Sequence, residues 1–163
     1  MRNFSKILTA VAMFSATQAH ANPDLNCDAY ASAAVAQVAH ANSLGCQVGG
    51  NRWTPDYAAH KNWCLKQGVT INHVSIEDQH RKTALNSCQT KVNSCNAYAQ
   101  NAVEVAQKAS NCGYQGSRWS ANYAGHKQWC MSVSSAAVAQ EDKIRSEGYS
   151  QCLIGNGSGL SGN

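Results

Sequence analysis

Phenylalanine is nearly missing from this 163-residue chain: the two copies, Phe4 and Phe14, both lie close to the N-terminus. Proline is as scarce, with only Pro23 and Pro55, so no helix beyond residue 55 is broken by proline. Charged residues are 13% of the chain, roughly half the usual share, and no block of one sign occurs. With a formal charge of +4, the basic patch that nucleic-acid binding requires is lacking. The longest mostly apolar run, Ile7 to Ala16, is far below the roughly 20 residues of a membrane-crossing helix, so no transmembrane segment is expected. Short cysteine spacings such as Cys-x-x-Cys are absent, as are His-Glu-x-x-His, Gly-x-Ser-x-Gly and phosphate-loop motifs. Metal, cofactor and hydrolase readings therefore have no motif to stand on, and neither a metal nor a cofactor is expected.

Eight cysteines are present, and their meaning depends on the compartment. Arg2 and Lys6 precede the Ile7 to Ala16 run, which closes on Ala19-His20-Ala21. That order predicts a signal peptide over residues 1–21 and a secreted or periplasmic protein starting near Asn22. No cysteine sits directly after the cleavage point, where Asn22 stands, so a lipid anchor is not expected. Both phenylalanines leave with the leader, and Lys plus Arg falls from 13 to 11 against nine acids, a charge of +2. All eight cysteines remain, which in an oxidising compartment predicts four disulfides.

The chain also repeats itself. Residues 46–64 and 112–130 align without gaps, with ten of nineteen positions identical: both cysteines, Arg52/Arg118, Trp53/Trp119, Tyr57/Tyr123, His60/His126, Lys61/Lys127 and Trp63/Trp129 among them. Around this core, Cys27-Asp-Ala-Tyr30 matches Cys95-Asn-Ala-Tyr98, and Glu77-Asp78-x-x-Arg81 matches Glu141-Asp142-x-x-Arg145. The expectation is a tandem of two cysteine-stapled units, 27–88 and 95–152, joined at Gln89 to Ser94, with a flexible tail over 153–163. Units of about 60 residues have marginal cores and usually need staples.

Apolar spacing makes each unit all-α. Cys27, Tyr30, Ala34, Val38 and Ala41, like Cys95, Tyr98, Ala102, Ala106 and Ala109, recur at threes and fours, which predicts an opening helix in each unit. Thr54-Pro55 and Ser120 read as N-caps of a second helix carrying Tyr57, His60 and Cys64 on one face. A third helix is expected from about Ser75 to Cys88 and from about Ser135 to Cys152, with Glu77–Arg81 and Glu141–Arg145 pairing on its surface. Three sequential helices packed up-down-up place Cys27 beside Cys64 and Cys46 beside Cys88, and likewise Cys95 beside Cys130 and Cys112 beside Cys152. The nested pairing, Cys46–Cys64 inside Cys27–Cys88, stays open, because four cysteines permit three connectivities.

Function must rest on what both copies keep. Arg52, Trp53, Tyr57 and His60, with Arg118, Trp119, Tyr123 and His126, combine flat aromatic faces with a planar donor fork, a set suited to a sugar or a peptide. Trp63 and Trp129 precede half-cystines and read as packing, whereas Trp53 and Trp119 lie at loop-to-helix junctions where binding residues concentrate. A histidine on a disulfide-linked helix is similar to one feature of the secreted phospholipases A2. Those enzymes follow that histidine with aspartate and carry a glycine-rich calcium loop, whereas Lys61 and Lys127 stand here. A histidine lacking an orienting partner is weak evidence for catalysis, which leaves a small hydrolase the least favoured class. The expectation is a non-catalytic binding protein with one contact surface per repeat for an envelope glycan or extracellular protein, two sites on one chain gaining avidity. The competing expectation is a structural or assembly protein, or a secreted inhibitor, with its aromatics internal.

Overall fold

The computed structural model describes residues 25–157; the expected signal peptide, 1–21, lies outside them, as do residues 158–163. Among the described residues there are five α-helices and no strand: α1 Cys27–Leu44, α2 Tyr57–Cys64, α3 Ile71–Lys108, α4 Tyr123–Ser132 and α5 Ser135–Gly157. Helix α1 packs on α2 and α3, and α3 packs on α4 and α5.

The side chain of Asn26 caps α1 by accepting from the Ala29 N–H at 2.9 Å. Its buried face is Tyr30, Ala31, Ala34, Val38 and Ala41, small enough for the neighbouring helices to come close. The helix stops at Gly45, whose left-handed backbone (φ 72°) turns the chain out. Helices α2 and α4 begin later than Thr54 and Ser120 would place them. Asp56 and Asn122 are the N-caps, accepting from Ala59 N–H at 3.1 Å and Gly125 N–H at 3.0 Å. An Asx oxygen there satisfies an otherwise orphaned helical donor, while Thr54 Oγ1, two residues earlier in the chain, accepts from the N–H of Asp56 itself at 3.2 Å.

The main departure from the sequence reading lies at Gln89 to Ser94. This stretch is no join, because α3 runs unbroken for 38 residues, about 57 Å of helix. The physical reason is an uninterrupted stripe. Arg81, Leu85, Val92, Cys95, Tyr98, Ala99, Ala102 and Ala106 are buried, and with Cys88 they keep spacings of three and four straight through the region. Neither glycine nor proline falls between Ile71 and Lys108 to break it.

Four disulfides hold the helices, with Cα separations of 5.5 to 5.9 Å. Cys27–Cys64 ties the start of α1 to the end of α2, and Cys46–Cys88 ties the loop after α1 to α3. Cys95–Cys130 joins α3 to α4, and Cys112–Cys152 joins the turn after α3 to α5. The last bond holds the end of α5, which continues to Gly157, so the first residues of the expected tail are helical. Two small cores result: Cys27, Tyr30 and Cys64 with Leu25, Trp63 and Val74, and Cys95, Tyr98 and Cys130 with Trp129, Met131 and Val138. No described helix is long and apolar enough to cross a membrane, and four disulfides are consistent with an extracellular or other oxidising compartment.

Candidate functional site

Each half of the chain carries a cleft between a loop, a short helix and the helix that follows. In the first, Gly50 adopts a left-handed φ of 83° and the backbone closes a 3₁₀ turn, Asn51–Trp53, with Trp53 N–H donating to Gly50 O at 2.9 Å. Gly116 (φ 94°) opens the corresponding turn, Ser117–Trp119. The turn delivers Arg52, or Arg118, to the rim. There Arg52 makes a bidentate pair with Glu77 of α3 at 2.7 and 2.8 Å, and Arg118 does so with Glu141 of α5 at 2.6 and 2.9 Å.

His60 and His126 are buried and bind the same turn from behind, Nε2 lying 2.9 Å from the Thr54 and Ser120 carbonyl oxygens. A carbonyl only accepts, so Nε2 carries the proton and holds the turn against the helix. The aromatic floor is Tyr30 with Trp63, tilted at 5.3 Å between centroids, and Tyr98 with Trp129 at 5.4 Å. Beneath lie Arg81 and Arg145, 0% and 1% exposed, each over the tyrosine ring at 5.1 and 5.2 Å. The expected surface pairs with Glu77 and Glu141 are therefore half buried. The arginines lie on the inward stripe of their helices and reach the carboxylates at 3.9 and 3.6 Å from inside.

These pairings set the charge states. Hydrogen bonds from Arg52 hold the Glu77 carboxyl below the ordinary carboxylate range, against the upward push of burial, and Arg118 does the same to Glu141. The Tyr98 hydroxyl is pushed up, chiefly by burial, with the hydrogen bond from Arg145 pulling the other way.

The first cleft, of about 600 Å³, is lined by Tyr30, Arg52, His60, Trp63, Lys66 and Glu77 among others. The second, of about 300 Å³, is lined by Tyr98, Arg118, His126, Trp129, Glu141 and Arg145 among others. Of the residues singled out from sequence, Arg52, His60, Arg118 and His126 thus come together at the clefts. The other four do not line them. Tyr57 and Tyr123 are exposed, Tyr57 hydrogen-bonded to Asp28 of α1, itself paired with Lys61, and Tyr123 to Asn96 of α3 at 3.0 Å. Trp53 is half buried, and Trp119 stacks on Tyr114 at 4.2 Å against Gly148, where a Cβ would stand 3.1 Å from its ring. Trp63 and Trp129, read from sequence as packing alone, both pack and line the clefts. Tyr30, Glu77 and their counterparts were also missed, although each belongs to a flanking match between the two halves.

Together the arrangement offers a flat aromatic wall next to a fixed donor and acceptor fork, with no described cluster of three metal-ligating side chains. Comparison with family models, with curated proteins and with solved structures gives no match to the chain.

Proposed function

We propose that this is a secreted or periplasmic, non-catalytic binding protein, a tandem of two stapled units whose two clefts hold an envelope glycan. The observation that carries the reading is the recurrence of one lining set, Tyr, Arg, His, Trp and Glu, at corresponding clefts in both halves. An aromatic face beside an Arg–Glu pair suits a ring that is apolar on its faces and hydroxylated at its edge. The histidines support binding over catalysis, because Nε2 is committed to a backbone carbonyl in each half. One observation favours the structural or assembly alternative: Arg52, Arg118, His60 and His126 already have partners within the chain.

The test is nuclear magnetic resonance of the four indole N–H groups in the mature protein during titration with N-acetylglucosamine oligomers and cell-wall glycan fragments. Shifts at Trp63 and Trp129, with Trp53 and Trp119 unmoved, are expected. No indole shift with any glycan, or shifts confined to Trp53 and Trp119, sinks the reading and favours the structural one.

A further inference from the structure

The two clefts share their aromatic lining but not their charges, and the difference names what each would select. Arg118, Arg145 and Arg52 all have carboxylate partners. Lys66 lines the first cleft and enters no ion pair among the described residues; its counterpart in the second half is Ser132. The carboxylates behind the clefts are also used differently. Asp142 lies 3.3 Å from Arg145, so two guanidiniums there meet Glu141 and Asp142. In the first half Asp78 is engaged by Lys82 at 2.6 Å and Gln37 at 2.7 Å. Position 146, which corresponds to Lys82, is serine. Glu77 alone is then left within ion-pair distance of Arg52 and Arg81, and the buried Nη2 of Arg81 has no hydrogen-bond partner. Asp56, the nearby acid at the start of α2, caps that helix through Ala59 N–H.

We infer that the first cleft is selective for a sugar bearing a carboxylate, held at Lys66 beside the Trp63 face, while the second takes the neutral sugar. This rests on the glycan reading above and deepens it. The ammonium of Lys66 is solvent-exposed, so the preference is modest, about two- to fivefold in affinity, and it weakens with salt.

N-acetylmuramic acid and N-acetylglucosamine form a matched pair of probes, since they differ by one lactyl carboxylate. Titrating the full mature protein with each, while following the Trp63 and Trp129 indoles separately, reads the two clefts independently. The acidic sugar is expected to move Trp63 at two- to fivefold lower concentration than the neutral one, with no such preference at Trp129. Lys66→Ser should abolish the preference at Trp63, and Ser132→Lys should create one at Trp129. Both positions are exposed, so neither change threatens the core. Equal response of both clefts to both sugars, or a preference that survives Lys66→Ser, overturns the inference and leaves the glycan reading standing. Silence of both indoles towards both sugars overturns the two together.

Discussion

Arg81 and Arg145 occupy corresponding places under corresponding tyrosines, yet every guanidinium nitrogen of Arg145 is engaged, by Arg118 O, Asp142 and Tyr98, while Nη2 of Arg81 is not. A buried donor without a partner costs about 1 to 3 kcal/mol, so replacing it by an apolar chain of similar volume recovers part of the loss. Arg145→Met should therefore destabilise by about 3 kcal/mol, and Arg81→Met by at least about 1 kcal/mol less, in paired denaturant titrations. Equal losses would mean that the orphaned nitrogen is immaterial. The rim carboxylates predict the pH response. Glu77 and Glu141 are depressed by Arg52 and Arg118, so their contribution is complete above the unfolded glutamate value of about 4.3. It is lost as pH falls through the lower folded values. Thermal melts between pH 7 and pH 2.5 should show the wild type losing stability below about pH 4.5, with a shallower slope in Glu77→Gln/Glu141→Gln. Parallel curves would contradict this.

At the scale of elements, the staples and α3 carry the stability. Each disulfide closes 35 to 42 residues, which by loop-closure entropy is about 4 kcal/mol, a large part of what a domain of this size has in total. Cys46→Ser/Cys88→Ser should therefore lower the melting temperature steeply, and full reduction should remove most helical circular dichroism. Helix α3 gives a sharper test. Asn93 is exposed and lies where sequence matching places a join, so Asn93→Pro would be harmless in a loop. In a continuous helix it should cost about 3 kcal/mol or more, read from chemical denaturation. This element also shows what the sequence could and could not reveal. Helical spacing made the all-α class and most helix positions legible, because burial leaves a period in the apolar residues. The join was misread because similarity between halves marks where a pattern recurs and not where the backbone breaks; the unbroken stripe from Arg81 to Ala106 was the better signal. The caps were misread because Thr54, Pro55 and Asp56 each suit a helix start, and only geometry chooses among them. The buried arginines looked like surface pairs because an i to i+4 partner is compatible with either face. For the clefts, the repeated types were visible, but tertiary packing decided that Trp63 and not Trp53 faces the opening.

For the whole molecule, sharing one helix means that neither half ends before the other begins. Cys88 and Cys95, which close the first half and open the second, are seven residues apart on α3, about 10 Å along its axis. Unfolding of one half frays the helix that the other packs on, so calorimetry should record a single transition with equal calorimetric and van't Hoff enthalpies. Two resolved transitions would show that the halves melt independently. The same helix acts as a screw between the clefts. Glu77 of the first and Tyr98 of the second lie on it about 31 Å apart along the axis. One residue added between Cys88 and Cys95 would turn the second cleft by about 100° relative to the first, and seven would return it to within about 20° of its present bearing. The number of residues between those two cysteines is thus an angular setting, and a length change there re-aims one cleft against the other while leaving the lining of both intact.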